Sequence, residues 1–133
     1  MKFMLPMAAL ALLSPLASTA QASGVQKQVR FATGTTSGSY SGTVKSYDYD
    51  TYTFFARKGQ QLHVNLSASD LQTALFNKQL PDSVSLDPYS PSLNKDGHYV
   101  LPYTGRYDLR ILQTRNDARQ GKTVPYQLKI SIH

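Results

Sequence analysis

Tyr126-Gln127-Leu128-Lys129-Ile130-Ser131-Ile132, at the C-terminal end of the chain, alternates strictly between apolar and polar residues. Successive side chains of a β-strand point to opposite faces, so this period predicts a strand with one face in the core. The same period recurs over 62–66 and 107–111. About eight such short segments, separated by turn signals and without helical periodicity, predict an all-β fold, a single antiparallel β-sandwich domain.

Three other segments complete this interpretation. Val25–Phe31 alternates as well and is predicted to be the first strand. Asp96-Gly97 predicts a hairpin turn leading into His98–Leu101. The stretch 77–96 contains three prolines and is too long for a tight turn, so it is predicted to cross from one sheet to the other.

Composition excludes several kinds of chemistry. The 133 residues contain no Cys, and all 8 acidic residues are Asp. Without Cys the chain has no disulfide, no thiolate zinc site and no cysteine nucleophile. The absence of Glu also excludes the Glu that completes an EF-hand loop.

The N-terminal residues have the pattern of a secretory signal. Met1–Lys2 is a positive start, an apolar run follows, and Ala20-Gln21-Ala22 has the small-x-small pattern of a cleavage site. We therefore predict a signal peptide over 1–22 and a mature domain over 23–133, exported and not bound to a membrane after cleavage. Two prolines and the polar stretch that follows the apolar run argue against a membrane anchor.

Charge limits the choice of partner. Residues 23–133 contain 13 Lys and Arg against 8 Asp, a net charge of +5. This balance suits an acidic partner. A nucleic-acid partner is not predicted, because no run of Lys and Arg is longer than two residues.

No catalytic or metal site is predicted. The sequence lacks a G-x-S-x-G motif, and His63, His98 and His133 are interpreted as unrelated surface residues. Asp48 and Asp50 share one side of an extended segment and could bind a cation, but they are more simply turn residues bonding their own backbone. We therefore predict no enzyme activity, no metal and no cofactor.

Two segments have both a structural and a functional interpretation. The Tyr-rich stretch 47–52 either packs across strands or forms a rigid contact surface. The stretch 115–122, with three cations, is predicted to be an exposed hairpin loop. A helical turn there would put Arg115 and Arg119 on one side. The alternative interpretation is a solvated loop whose charges contribute only to solubility.

Four stretches together resemble the periplasmic inhibitors of g-type (goose-type) lysozyme. The most specific is Leu112-Gln113-Thr114-Arg115-Asn116-Asp117-Ala118-Arg119. The others are Tyr40-Ser41-Gly42, Tyr47-Asp48-Tyr49-Asp50-Thr51-Tyr52-Thr53-Phe54, and Asp82-Ser83-Val84 with Tyr89-Ser90-Pro91. The resemblance extends over essentially all of 23–133.

This resemblance implies a β-sandwich in the periplasm of a Gram-negative bacterium that inserts loops into the cleft of g-type lysozyme and so protects peptidoglycan. It implies that Tyr47, Arg115 and Arg119 reach the catalytic carboxylates of the lysozyme, and Asn116 completes the predicted lysozyme-binding set. Asp117 is expected to hold the loop by bonding local backbone amides.

A second resemblance gives an alternative. Asp48–Phe54 and Thr104–Arg110 are also similar to the small β-sandwich modules appended to secreted peptidases. That resemblance implies a non-catalytic module that binds glycans or components of the cell envelope. No catalytic domain accompanies it in this chain.

Overall fold

The computed structural model describes residues 24–31 and 33–133, so the predicted signal peptide lies outside the described residues. The elements in chain order are β1 (Gln26–Gln28), β2 (Ser37–Lys45), β3 (Tyr49–Ala56), β4 (Gln61–Leu66), β5 (Leu71–Phe76), β6 (Val84–Ser85), β7 (Tyr99–Val100), β8 (Gly105–Gln113), α1 (Arg115–Arg119) and β9 (Thr123–Ile132). Within these residues, no helix has the length and apolar character needed to cross a membrane.

The strands form two sheets, which confirms the predicted all-β sandwich. One has five strands in the order β1-β3-β8-β5-β6, and the other has four in the order β2-β9-β4-β7. All neighbouring strands run antiparallel except β1, which pairs in parallel with β3. The predicted first strand is therefore shorter than expected and belongs to the edge of a mixed sheet.

The core lies between the inner faces of the two sheets. Leu128 and Ile130 of β9 and Leu109 and Ile111 of β8 all belong to this core and are buried. Burying one such side chain stabilises the fold by about 1.5–3 kcal/mol. The apolar residues of the alternating segments therefore supply the main driving force for the sandwich.

The segment from 77 to 98 crosses from the five-stranded to the four-stranded sheet, as predicted, and contains β6. At its end, Gly97 adopts a φ of 81°. Asn94 Oδ1 accepts hydrogen bonds from the backbone of Asp96 (2.9 Å) and His98 (3.0 Å). The predicted turn is therefore present. The predicted hairpin is wrong, because β7 pairs with β4 and not with a strand before the turn.

A buried polar cluster joins the two sheets. Asp50 of β3 is 2% exposed and accepts a hydrogen bond at Oδ2 from the hydroxyl of Tyr126 on β9. The Tyr126 hydroxyl lies 2.7 Å from that of Tyr52, and the backbone N–H of Val25 donates to Asp50 Oδ1 (2.8 Å). The prediction that Asp50 is a turn residue is therefore wrong. Its carboxylate connects β9 and the N-terminal segment to β3.

Because of this cluster, we expect the folded protein to lose stability at alkaline pH. Burial raises the pKa of Tyr126 and Tyr52 above 10.0. Above pH 10 the unfolded chain releases these protons more readily than the folded chain, so stability falls as the pH rises, by up to about 1.4 kcal/mol per pH unit for each tyrosine. Chemical denaturation between pH 8 and pH 12 should show this slope. The slope should be shallower in Tyr126→Phe, and an equal slope in that variant would contradict the assignment.

Strand pairing puts two connections at the same end of the sandwich. Lys45 at the end of β2 pairs with Thr123 at the start of β9, and Tyr49 at the start of β3 pairs with Leu112 near the end of β8. The loop 46–48 and the segment 114–122 therefore lie side by side, and we call this end of the molecule the loop end.

Candidate functional site

The segment 114–122 contains the short helix α1, which supplies the helical turn considered for this stretch. The predicted hairpin loop is wrong, because β8 and β9 belong to different sheets and the segment crosses from one to the other. Thr114 caps its N-terminus, and its Oγ1 accepts a hydrogen bond from the backbone N–H of Asp117 (3.2 Å). Arg115 and Arg119 are four residues apart on this helical turn, so both point to one side, and both are exposed. Two cations therefore project together from the loop end.

The charged groups of this segment differ in their partners. Arg119 Nη2 donates a hydrogen bond to Asn116 Oδ1 (2.9 Å). Asp117 Oδ1 lies 3.1 Å from Lys122 Nζ. The expectation that the Asp117 side chain bonds backbone amides is therefore wrong, because Thr114 provides that cap and Asp117 pairs with a cation. This ion pair compensates the charge of Lys122 and leaves Arg115 and Arg119 as the uncompensated charges of the segment.

Hydrogen bonds join α1 to the loop 46–48. The buried Gln113 donates from Nε2 to the backbone carbonyls of Lys122 (2.8 Å), Val44 (3.4 Å) and Ser46 (3.4 Å). Ser46 Oγ donates to the carbonyl of Ala118 (2.9 Å), and Ser46 N–H donates to that of Lys122 (2.8 Å). The two connections are thereby held as one unit.

A cleft of about 310 Å³ lies between them. Tyr47 is 56% exposed at its edge, and Arg115 lies on the same cleft. Asn116 and Arg119 do not line it but are exposed on the adjoining helix. The full lining consists of Ser46, Tyr47, Asp48, Gln72, Leu112, Gln113, Arg115 and Ala118.

Several of these residues were not predicted from the sequence. Gln113 is in phase with the buried Tyr107, Leu109 and Ile111, so a polar residue at an inward position was an available signal. Gln72 and Leu112 carry no such signal, because they reach the cleft by pairing across strands.

A second aromatic residue lies next to the helix. Tyr89 is 98% exposed and shares a cavity of about 530 Å³ with Thr114 and Asp117. Single exposed aromatic residues are common on protein surfaces. Tyr47 and Tyr89 are two exposed tyrosines that lie near α1.

The prediction that the three histidines are unrelated surface residues is wrong, because their rings lie next to one another. The ring centroids of His63 and His98 are 5.0 Å apart, and those of His98 and His133 are 5.5 Å apart. His133 follows β9 at the strand's other end, so this group is far from the loop end. Over the described ranges 24–31 and 33–133, no three histidine, cysteine or acidic side chains are arranged around a common metal position.

Comparison with known proteins identifies the family. The chain is 51% identical over 124 residues to the inhibitor of g-type lysozyme of Escherichia coli K12, which covers 93% of each chain. The chain belongs to the family of g-type lysozyme inhibitors. This family comprises inhibitors of an enzyme, and the chain is not itself an enzyme. A scan against models of protein families gives no match.

Solved structures of these inhibitors share the fold. A mutant of the periplasmic g-type lysozyme inhibitor from Escherichia coli superposes with a TM-score of 0.82 at 49% identity, and it covers 84% of this chain and 100% of its own. The Salmonella Typhimurium inhibitor gives 0.79 at 46% identity, covering 85% and 100%. The Aeromonas hydrophila inhibitor gives 0.68 at 27% identity with the same coverage.

Proposed function

We propose that this protein inhibits g-type lysozyme in the periplasm, and that it does so by inserting the loop end into the substrate cleft of the enzyme. Membership of the inhibitor family supports the partner and the location. One observation supports the proposed mechanism. Tyr47 and Arg115 line the same cleft, and Arg119 lies on the adjoining helical turn. Residues 1–22 direct export and are removed between Ala22 and Ser23.

The two arginines suit the chemistry of the proposed target. Glycosidases use a pair of carboxylates that flank the scissile bond. A guanidinium group meets a carboxylate with two parallel hydrogen bonds and stays charged at any accessible pH. The projecting Arg115 and Arg119 can therefore occupy the position of the substrate while they neutralise the catalytic carboxylates.

Contacts within the free protein prepare this geometry. Asn116 holds the guanidinium of Arg119, while Gln113 and Ser46 hold α1 against the loop 46–48. Binding then costs little conformational entropy, because few groups must become ordered. Tyr47 contributes a rigid aromatic ring and a hydroxyl donor at the edge of the same cleft.

The function is tested by lysis of cell walls. The exported protein is added to a turbidity assay with g-type lysozyme and, separately, with chicken-type lysozyme. We expect protection against the g-type enzyme and none against the chicken-type enzyme. Protection against neither enzyme would contradict the proposal and favour the glycan-binding module.

Inhibition should also depend on salt. With a net charge of +5 over 23–133 and two uncompensated arginines at the loop end, attraction to an acidic cleft accelerates association. The association rate constant, measured by surface plasmon resonance, should fall by about tenfold or more between low salt and 1 M NaCl. A rate constant independent of salt would exclude electrostatic steering.

A further inference from the structure

The surface proposed for lysozyme at the loop end is small. It consists of Tyr47, Arg115, Asn116 and Arg119 with the cleft beside them. A stable interface between an inhibitor and its enzyme covers about 800 Å² of each partner and about 20–30 of its residues. Adjoining surface must therefore also contact the lysozyme, and the outer faces of the two sheets are the surfaces available.

The two outer faces differ in composition. Outward residues of the four-stranded sheet near the loop end are mostly small and polar, and they include Ser39, Ser41, Thr43, Ser67 and Gln127. The outer face of the five-stranded sheet carries Tyr49, Arg110 and Phe76. Protein interfaces are enriched in aromatic residues and arginine and depleted in serine. The five-stranded face therefore has the composition expected of a contact surface.

The cleft at the loop end opens onto this same face. Gln72 of β5 and Leu112 of β8 both line the cleft, and they pair with each other across the strands. Tyr49 of β3 pairs with Leu112 on its other side, which completes one row across the sheet. Arg110 lies on β8 in the next row away from the loop end. The floor of the cleft therefore continues into the surface around Arg110.

Two aromatic rings hold Arg110 in place. Its guanidinium carbon lies 4.6 Å from the ring centroid of Tyr49 and 4.5 Å from that of Phe76. A guanidinium at these distances is attracted to the ring by a cation–π interaction. Because both rings restrict this long side chain, a partner that binds it pays little conformational entropy.

The charge of Arg110 is not compensated within residues 24–31 and 33–133. There its guanidinium forms no salt bridge and donates no hydrogen bond, and its buried Nε has no partner. Asp108, on the same face of β8, instead accepts hydrogen bonds from Thr53 Oγ1 (2.8 Å) and Arg106 Nε (3.4 Å). An oriented guanidinium with unused donors is suited to bind a carboxylate of another molecule.

We propose that Tyr49, Gln72, Phe76, Arg110 and Leu112 form a second contact surface for g-type lysozyme, in which Arg110 binds a carboxylate at the rim of the enzyme's cleft. This inference rests on the proposed function, because the surface continues the loop end. The surface ends at Phe76, in the third row from the loop end, so the exposed loop 57–60 stays outside it.

Surface plasmon resonance with immobilised g-type lysozyme tests this contact. Arg110→Ala should raise the dissociation constant by about tenfold or more, because it removes a charged hydrogen-bonding group from the interface. Lys129→Ala is the matched control, since it removes one charge from an exposed position on the outer face of the four-stranded sheet. Its dissociation constant should equal that of the wild type.

Arg110→Met separates binding from packing, because methionine fills the space between the two rings without a charge. We expect it to weaken binding as alanine does, and to reduce the dependence of the association rate constant on salt, which a purely structural role would leave unchanged. Melting temperatures check that the variants are folded.

The outcomes distinguish this contact from the proposed function. Wild-type affinity in folded Arg110→Ala or Arg110→Met, together with weakened binding by Arg119→Ala, would overturn the second contact surface alone. Absence of binding by the wild-type protein would overturn both the proposed function and this inference.

Discussion

Replacing Arg119 by alanine is expected to weaken inhibition of g-type lysozyme by about 2–5 kcal/mol, the cost of truncating one partner of a buried charge pair. This is on the order of 30-fold or more in the inhibition constant. Arg119→Lys should cost nearly as much, because lysine keeps the charge but lacks the planar pair of donors that meets a carboxylate. Inhibition constants for both variants provide the measurement.

Lys58→Ala is the matched control for this experiment. It removes the same charge from an exposed loop that follows β3 at the opposite end of the sandwich. Its inhibition constant should be close to that of the wild type, and none of the three variants should change the melting temperature much. Full inhibition by Arg119→Ala would exclude a role for this arginine, and full inhibition by Arg119→Lys would show that charge alone suffices.

Asp50→Ala is expected to lower the free energy of unfolding by about 3 kcal/mol. The substitution removes the acceptor of the buried hydroxyl of Tyr126 and of the partly buried backbone N–H of Val25, and an unsatisfied buried group costs about 1–3 kcal/mol. Urea denaturation monitored by circular dichroism provides the measurement. The surface substitution Asp82→Ala should change stability by less than about 0.5 kcal/mol.

Asp50→Ala also tests whether the stability of the fold and the inhibition of lysozyme depend on different residues. Asp50 lies in the core between the sheets and does not line the cleft at the loop end. At a temperature where Asp50→Ala remains folded, its inhibition constant should therefore be close to the wild-type value. A stability equal to that of the wild type would contradict the bridging role of this carboxylate.

Alternation in the sequence was sufficient to predict the long strands. In β4, β8 and β9 apolar residues recur at every second position and face the core, while Leu112 of β8 is out of phase and lines the cleft. The strands β6 and β7 have two residues each, too few to show a period. The parallel pairing of β1 with β3 could not be predicted either, because a pattern along one strand does not specify its partner.

The arrangement of the candidate site was predictable in part. The charges of 115–122 and the resemblance to the inhibitor family pointed to Arg115 and Arg119, and the spacing of four gave their common side. The cleft between the connections depends on the pairing of β2 with β9 and of β3 with β8. The histidine group likewise depends on the register of three strands, which no local pattern encodes.

Hydrogen–deuterium exchange of the protein alone and in complex with g-type lysozyme shows directly which surface the enzyme covers. We expect backbone amides in 46–48 and 114–122 to be protected in the complex, while the exposed loop 57–60 at the opposite end exchanges at its free rate. Protection of 57–60, with unchanged exchange in 46–48 and 114–122, would contradict insertion of the loop end into the cleft of the lysozyme.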